Sequence, residues 1–363
     1  MDARVAIDGA GFPTHVGDGL AQLDGAAAVV KSPGVPPRAP VVAEARARGI
    51  PVLGELELGW RLIERPFVAV TGTNGKTTVT EWIAHVLRLA GRDVAAAGNV
   101  GTPVTSLVDA PPALVVCECS SYQLADTLAF APEVAVLLNL GADHLDWHGT
   151  LDHYAQSKLR VFAQQAPEAV AIAPARIAVP GAARRIDLVP DWRATLPGAH
   201  NAINAGAVAA ACVALGVEEA AIAEGLRSFR GVPHRLELLR ELRGVRWVND
   251  SKATNVASAL TALEATPAPV HVILGGDDAK GEDFSPLTGR AAHVYLVGEA
   301  APRLRAAVGG TPCGDLETAV RRAAAAAVAG DTVLLSPACA SFDQFTDFEE
   351  RGRRFAALVE ALA

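Results

Sequence analysis

The segment "FVAVTGTNGKTTVTEWIAHVL", residues 67–87, decides how the rest of the chain is read. A short apolar run enters a Gly-rich turn, and the turn opens directly into a helical pattern. Val79, Trp82, Ile83, Val86 and Leu87 recur at 3.6-residue spacing, and Gly91 stops the pattern. Strand, glycine loop and helix in that order make a phosphate cradle, because backbone amides approach phosphate oxygens and the helix N-terminus adds a favourable field. The usual pattern is Gly, four residues, then Gly-Lys-Ser/Thr. Here Val70 stands where the first glycine is asked for, and the upstream glycine is Gly72. Lys76 is expected to reach the β/γ-phosphates and the Thr77 hydroxyl to ligate Mg²⁺. Gly72, Thr73, Asn74, Gly75 and Thr78 complete the expected loop. The plain alternative, a tight glycine turn with a surface lysine, does not account for the strand–loop–helix context. The loop implies a nucleoside triphosphate and leaves the acceptor open.

Outward from this segment, short apolar runs alternate with helical patterns, which favours parallel sheets covered by helices. "AAAVVK" reads as a strand that breaks at Ser32-Pro33-Gly34; residues 40–48 read as a helix, and "IPVLGELEL" as a strand and its exit. "ALVVCECSS" and "EVAVLLNLG" are buried strands with polar ends, and residues 201–215 an Ala-rich helix. "GVRWVN", "VHVILGG", "HVYLVGE" and "DTVLLSP" supply the strands of a last block. Charged residues and Gly/Pro interrupt the pattern near Arg65 and Gly231, giving three expected blocks, 1–65, 66–231 and 232–363.

Composition narrows the function classes. The chain of 363 residues carries 32 basic and 40 acidic side chains, a net charge of −8, which argues against a general nucleic-acid binder. "MDARVAIDGAGFP" lacks a signal-peptide core, and no apolar run reaches membrane-spanning length. The five cysteines include the C-x-C pair Cys117 and Cys119, without zinc-type spacing, so reduced thiols in a soluble cytoplasmic protein are expected.

Two further regions carry chemistry. Glu118 ends the strand "VVCE", where alternation puts it opposite Cys117 and Cys119 and the carboxyl end of a parallel strand puts it beside the loop, placed to bind metal. A salt-bridged strand end is its ordinary alternative. "GADHLDWHGTLDHYAQSK" is dense in acid and imidazole, yet has no zinc-type spacing; its side chains read mostly as solvated caps, and Lys158 as an exposed lysine.

"TGTNGKTT", "NVGTP", "ECSSYQL", "DHLDWHG…YAQSKLRVF", "HN…N", "PHRLE", "NDSKATN" and "SPACASFDQF" occur along nearly the whole chain in the order that resembles the Mur ligase family. "SPGVP", "GELEL", "NDSKATN" and "SPACASFDQF" narrow the resemblance to its D-glutamate-adding branch. The resemblance implies an α/β protein of three domains: a shortened Rossmann-like N-terminal domain for the UDP substrate, a central ATPase domain with a mostly parallel sheet, and a Rossmann-like amino-acid-binding domain. It implies a monomeric cytoplasmic enzyme of peptidoglycan synthesis that joins D-glutamate to UDP-N-acetylmuramoyl-L-alanine through an acyl phosphate, using ATP and two Mg²⁺ ions. By the same resemblance, Thr77, Glu118 and His144 hold metal, and Lys158 does so once carbamylated, which makes an oxygen ligand of a cation. Asn99 and His144 lie at the acyl-phosphate site; Asn204, Arg235 and Asp250 serve adenine and ribose. Lys252, Thr254, Lys280, Ser341 and Phe348 serve D-glutamate.

Four departures from the family pattern stand out. No G-x-G-x-x-G precedes residue 65, so the first domain is expected to be shorter by a βαβ unit of about 30 residues. The stretch between Lys158 and His200 is short and Pro-rich, "GGDDAKGEDF" carries one extra residue before Lys280, and Gly141 replaces a threonine. Two alternatives therefore stay open: another amide ligase of the Mur/folylpolyglutamate synthase type, or a nucleotide-binding protein that no longer ligates.

Overall fold

The structure, a computed structural model, describes residues 15, 17–99, 101–141, 145–192, 196, 199–267, 269–279 and 281–362. The chain divides into two compact units, one ending at Phe229 and the other beginning at Arg230.

The first unit opens with Val29–Lys31 (β1) and Val52–Gly54 (β2), a parallel pair. The helix Pro40–Ala47 joins them, with proline at its first position, where the missing N–H costs nothing. Leu23, Val42, Ala45 and Val52 form its small core. The expected strand exit at 55–58 is instead the start of a helix, Glu55–Ile63. Both carboxylates of "GELEL" act as anchors. Glu55 accepts from the backbone and hydroxyl of Thr105, at 2.7 and 2.9 Å. Glu57, fully buried, accepts from the amides of Leu128, Ala129 and Phe130 at 3.0–3.1 Å and from Arg61 at 2.8 Å. A buried carboxylate is tolerated where its oxygens are saturated by donors in this way.

Phe67–Thr71 (β3), Val94–Gly98 (β4), Leu114–Glu118 (β5), Val134–Leu137 (β6), Val170–Ala173 (β7) and Arg184–Asp187 (β8) form a six-stranded sheet in the order β4-β5-β3-β6-β7-β8. All its pairings are parallel. β3 is buried along all five residues, as a strand covered on both faces must be. The helix Lys76–Leu89 buries Val79, Trp82, Ile83, Val86 and Leu87, the stripe its spacing predicts. The chain leaves β3 to build β4 and β5 on one side and then crosses to β6 on the other. In open parallel sheets such a reversal is where a ligand crevice forms, beyond the carboxyl ends of the strands, here those of β3 and its neighbours.

In the second unit Glu237–Leu242 (β9), Val245–Asn249 (β10), Val270–Gly275 (β11), His293–Val297 (β12), Thr311–Gly314 (β13) and Thr332–Leu335 (β14) take the order β13-β12-β11-β14-β10-β9. β9 pairs antiparallel with β10 through a two-residue hairpin whose Arg243 and Gly244 have φ of 54° and 77°. Two positive φ values match the twist of such a hairpin. Separate apolar clusters, around Leu274 and around Trp247, cover the sheet's faces. The fold is thus α/β with mostly parallel sheets. Among the described residues no helix is long and apolar enough to cross a membrane.

Candidate functional site

In the first unit β3 delivers the chain into the loop Gly72–Gly75, and the helix Lys76–Leu89 starts immediately after it. Gly75 has φ of +88°, and a Cβ there would stand 2.7 Å from the Asn204 side-chain oxygen. Only glycine fits this left-handed, crowded position. Neighbouring strands brace the loop: Asn139 accepts from the Asn74 amide at 2.9 Å and donates to its carbonyl at 3.1 Å. Thr73 Oγ1 lies 3.0 Å from the Tyr154 hydroxyl and accepts from the Gly141 amide at 2.9 Å. Lys76 folds over the loop, its ammonium donating to the carbonyls of Gly72 and Thr73, both at 3.0 Å. Lys158 donates to the same Gly72 carbonyl at 2.8 Å and lies 4.7 Å from the centre of the Tyr154 ring. Two ammonium groups and a helix N-terminus converge on one corner, a site for anionic oxygens. Lys158 is only 2 % exposed, so its reading from spacing as a surface lysine is corrected. It lies on the inner face of the helix Leu151–Ala163, one turn after Tyr154.

Glu118 stands at the end of β5, in register with Val70. One carboxylate oxygen accepts from Asn99 Nδ2 at 3.0 Å; the other is buried with no hydrogen-bond partner among the described residues. An unsatisfied buried carboxylate oxygen is costly, and a hard cation is the partner that would satisfy it. Thr77, also buried, offers a hydroxyl on the adjacent first helical turn. These are oxygen donors, which fit Mg²⁺, and among the described residues no group of three His, Cys, Asp or Glu forms a closed metal cage. Asn99 therefore orients Glu118. It can do so because β4 and β5 approach closely at Gly98, where a Cβ would meet the Glu118 carbonyl at 2.3 Å. As alternation predicts, Cys117 and Cys119 share the other face, with sulfurs 3.7 Å apart. Thr78 is half-buried on the loop's helix, and His144 lies outside the described residues.

His148 departs from the solvated reading of its segment. It is 6 % exposed, 2.9 Å from Ser121 Oγ and 3.0 Å from His153 Nδ1, and stacks on Tyr122. Sequence reasoning missed it, as it missed Asn139 and Tyr154. The i, i+4 spacing of Tyr154 and Lys158 was the available signal for the last.

In the second unit "PHRLE" forms a strained turn: His234 and Leu236, flanking Arg235, have φ of 61° and 45°. Asp250 Oδ1 accepts from the Leu236 amide at 3.1 Å and Oδ2 from Ser336 at 2.8 Å. Burial nevertheless raises the Asp250 carboxyl to about 6. Lys252 and Phe348 meet, the ammonium 5.9 Å from the ring centre, and Thr254 follows in the same turn, its amide bonding the Lys252 carbonyl at 2.8 Å. Ser341 is buried at the end of the β14 exit. Lys280 lies outside the described residues.

Known proteins agree with this architecture. Residues 70–185 match the Mur ligase middle domain and 234–339 the Mur ligase glutamate ligase domain. A UDP-N-acetylmuramoylalanine–D-glutamate ligase of Sphingopyxis alaskensis is 45% identical over 94% of this chain and 85% of its own length. The chain belongs to the Mur ligase family. A ligase of the same name from Gloeobacter violaceus is 44% identical, covering 92% of the chain and 85% of its own length. The MurF ligase of Thermotoga maritima, solved with ADP, shares the fold with a TM-score of 0.54 at 19% identity, over 94% of this Mur ligase and 97% of that chain.

Proposed function

We propose that this Mur ligase joins D-glutamate to UDP-N-acetylmuramoyl-L-alanine at the expense of ATP, as a soluble cytoplasmic monomer. Relatives of that name at 45% and 44% identity support the substrates. The observation that carries the chemistry is the meeting of Lys76 and Lys158 on the Gly72 carbonyl, with Glu118 in register beside the loop.

A carboxylate is a poor acyl donor because its oxygen is a poor leaving group. Transfer of the ATP γ-phosphoryl to the alanine carboxylate gives an acyl phosphate and ADP. The amine of D-glutamate then attacks the carbonyl carbon, and phosphate leaves as the amine loses its proton. Positioning and charge neutralisation are the protein's means in phosphoryl transfer. Lys76 turns from the loop carbonyls to the terminal phosphate oxygens, and the loop amides hold the phosphates. Thr77, Glu118, His144 and carbamylated Lys158 would hold two Mg²⁺ ions, which supply charge neutralisation. Asn204, Arg235 and Asp250 belong to the ATP side, and Lys252, Thr254, Lys280, Ser341 and Phe348 to the D-glutamate side. The division 1–65, 66–231 and 232–363 assigns UDP substrate, ATP and amino acid in turn.

The test is ADP release and amide formation with UDP-N-acetylmuramoyl-L-alanine and each of D-Glu, L-Glu, L-Ala and meso-diaminopimelate. Selective use of D-Glu is expected; preference for another acceptor overturns the assignment.

A further inference from the structure

Arg351, on the helix Phe348–Glu360, is 2 % exposed, among the largest fully enclosed side chains of the chain. Its guanidinium is spent on neutral acceptors. Nε donates to Ser251 Oγ at 3.0 Å, Nη1 to the carbonyls of Cys339 and Ala340 at 3.1 Å, and Nη2 to the carbonyls of Ser251 at 2.9 Å and Cys339 at 3.1 Å. No carboxylate among the described residues pairs with it. Asp343, the nearby acid that acts on it, accepts instead from the Glu299 amide at 3.1 Å. Burial pulls the guanidinium down to about 10, which still leaves it charged at neutral pH. A buried cation without a counter-ion is unfavourable by itself, so its retention calls for an anion supplied from outside or for a rigid frame that requires it.

The frame is present at Arg351, built from the neutral acceptors of Ser251, Cys339 and Ala340. The carbonyls it binds belong to the turn after β10 and the segment after β14, and Ser251 Oγ donates in turn to the Phe348 carbonyl at 2.8 Å. These three pieces carry Lys252 and Thr254, Ser341, and Phe348. The β14 exit is strained, with Ala338 at φ of 60°, a conformation that persists only when neighbours enforce it. Resting on the assignment of D-glutamate as acceptor, we propose that Arg351 is a positioning residue that fixes the three segments of the acceptor site, and that its unneutralised charge favours an acceptor with a second carboxylate. The charge acts through one layer of backbone, so Arg351 itself touches no substrate.

The test compares Arg351→Lys and Arg351→Met with the wild type, using D-Glu and its uncharged isostere D-Gln. For Arg351→Met the KM for D-Glu rises at least tenfold, while the KM values for ATP and the UDP substrate stay within twofold. The wild-type preference for D-Glu over D-Gln falls at least fivefold in Arg351→Met, and Arg351→Lys restores at least half of it. Equal loss with D-Glu and D-Gln, or equal change in all three KM values, overturns the charge role. A Lys variant no better than Met at wild-type thermal stability does so too. If Arg351→Met does not fold, Arg351→Lys decides: it is expected to keep at least half of the wild-type preference for D-Glu over D-Gln, and loss of that preference at wild-type thermal stability refutes the charge role. Should the wild type itself prefer another acceptor, the functional assignment fails first, and the two failures are distinguishable.

Discussion

Single residues divide into those whose role was written in a motif and those whose role depends on a neighbour. Lys76 belongs to the first group: its place after Gly75 supports the proposed phosphate contact, and Lys76→Ala is expected to abolish ATP-dependent ligation with the fold retained by circular dichroism. Glu118 belongs to both groups. Its strand-end position was legible, but the orphaned oxygen is visible only in the packed structure. Glu118→Gln should leave the melting temperature unchanged or higher, reduce ligation at least 100-fold and remove the additional thermal shift that Mg²⁺ gives with ATP. Lys158 shows the limit of spacing alone, because a lysine on an amphipathic helix is usually exposed, whereas here it reaches a loop 86 residues away. If its carbamate is needed, Lys158→Ala loses activity and short carboxylic acids restore part of it. Asp250 offers a test by pH. Its folded carboxyl titrates at about 6 against an ordinary 3.8, so the folded state holds the extra proton between those values. Stability contributed by this group is therefore present at low pH and lost as pH rises from about 4 to 6, a cost of roughly 2–3 kcal/mol at pH 7. Asp250→Asn should raise the melting temperature by about 5 °C at pH 7.5, fade towards no gain near pH 4, and weaken ATP use.

At the level of elements, periodicity located β3, its helix and the strands of both sheets because each carries its own burial pattern. Less legible were elements whose reason lies elsewhere in the chain. "GELEL" reads as strand exit by composition, yet forms a helix because Glu55 and Glu57 find donors 50 and 71–73 residues away. β9 runs antiparallel owing to the hairpin at Arg243–Gly244, where an arginine in the left-handed region gives no compositional cue. The Glu57 anchor is measurable. Glu57→Gln replaces an acceptor by an amide whose N–H faces other N–H groups, and should cost about 2 kcal/mol in urea unfolding. Loss of less than about 0.5 kcal/mol would mean the three amides are satisfied some other way.

For the whole molecule, two units with separate apolar clusters imply unfolding that is not one cooperative step. Calorimetry should resolve two transitions, with Glu57→Gln lowering one and Asp250→Asn raising the other; a single transition moved by both variants would contradict this. Family and substrate class were legible in the sequence because many long motifs recur in order, whereas Arg351, one residue inside a helix, draws its meaning from carbonyls contributed 11 to 100 residues away. The Glu57 anchor also bears on redesign. It grips Leu128, Ala129 and Phe130 by their main chain, so it is blind to the side chains those positions display. Leu128 points to solvent, 48% exposed, and can be exchanged for a cysteine carrying a fluorescent dye without loosening the joint. The reporter would then ride on the surface of the first unit at no expense to its attachment.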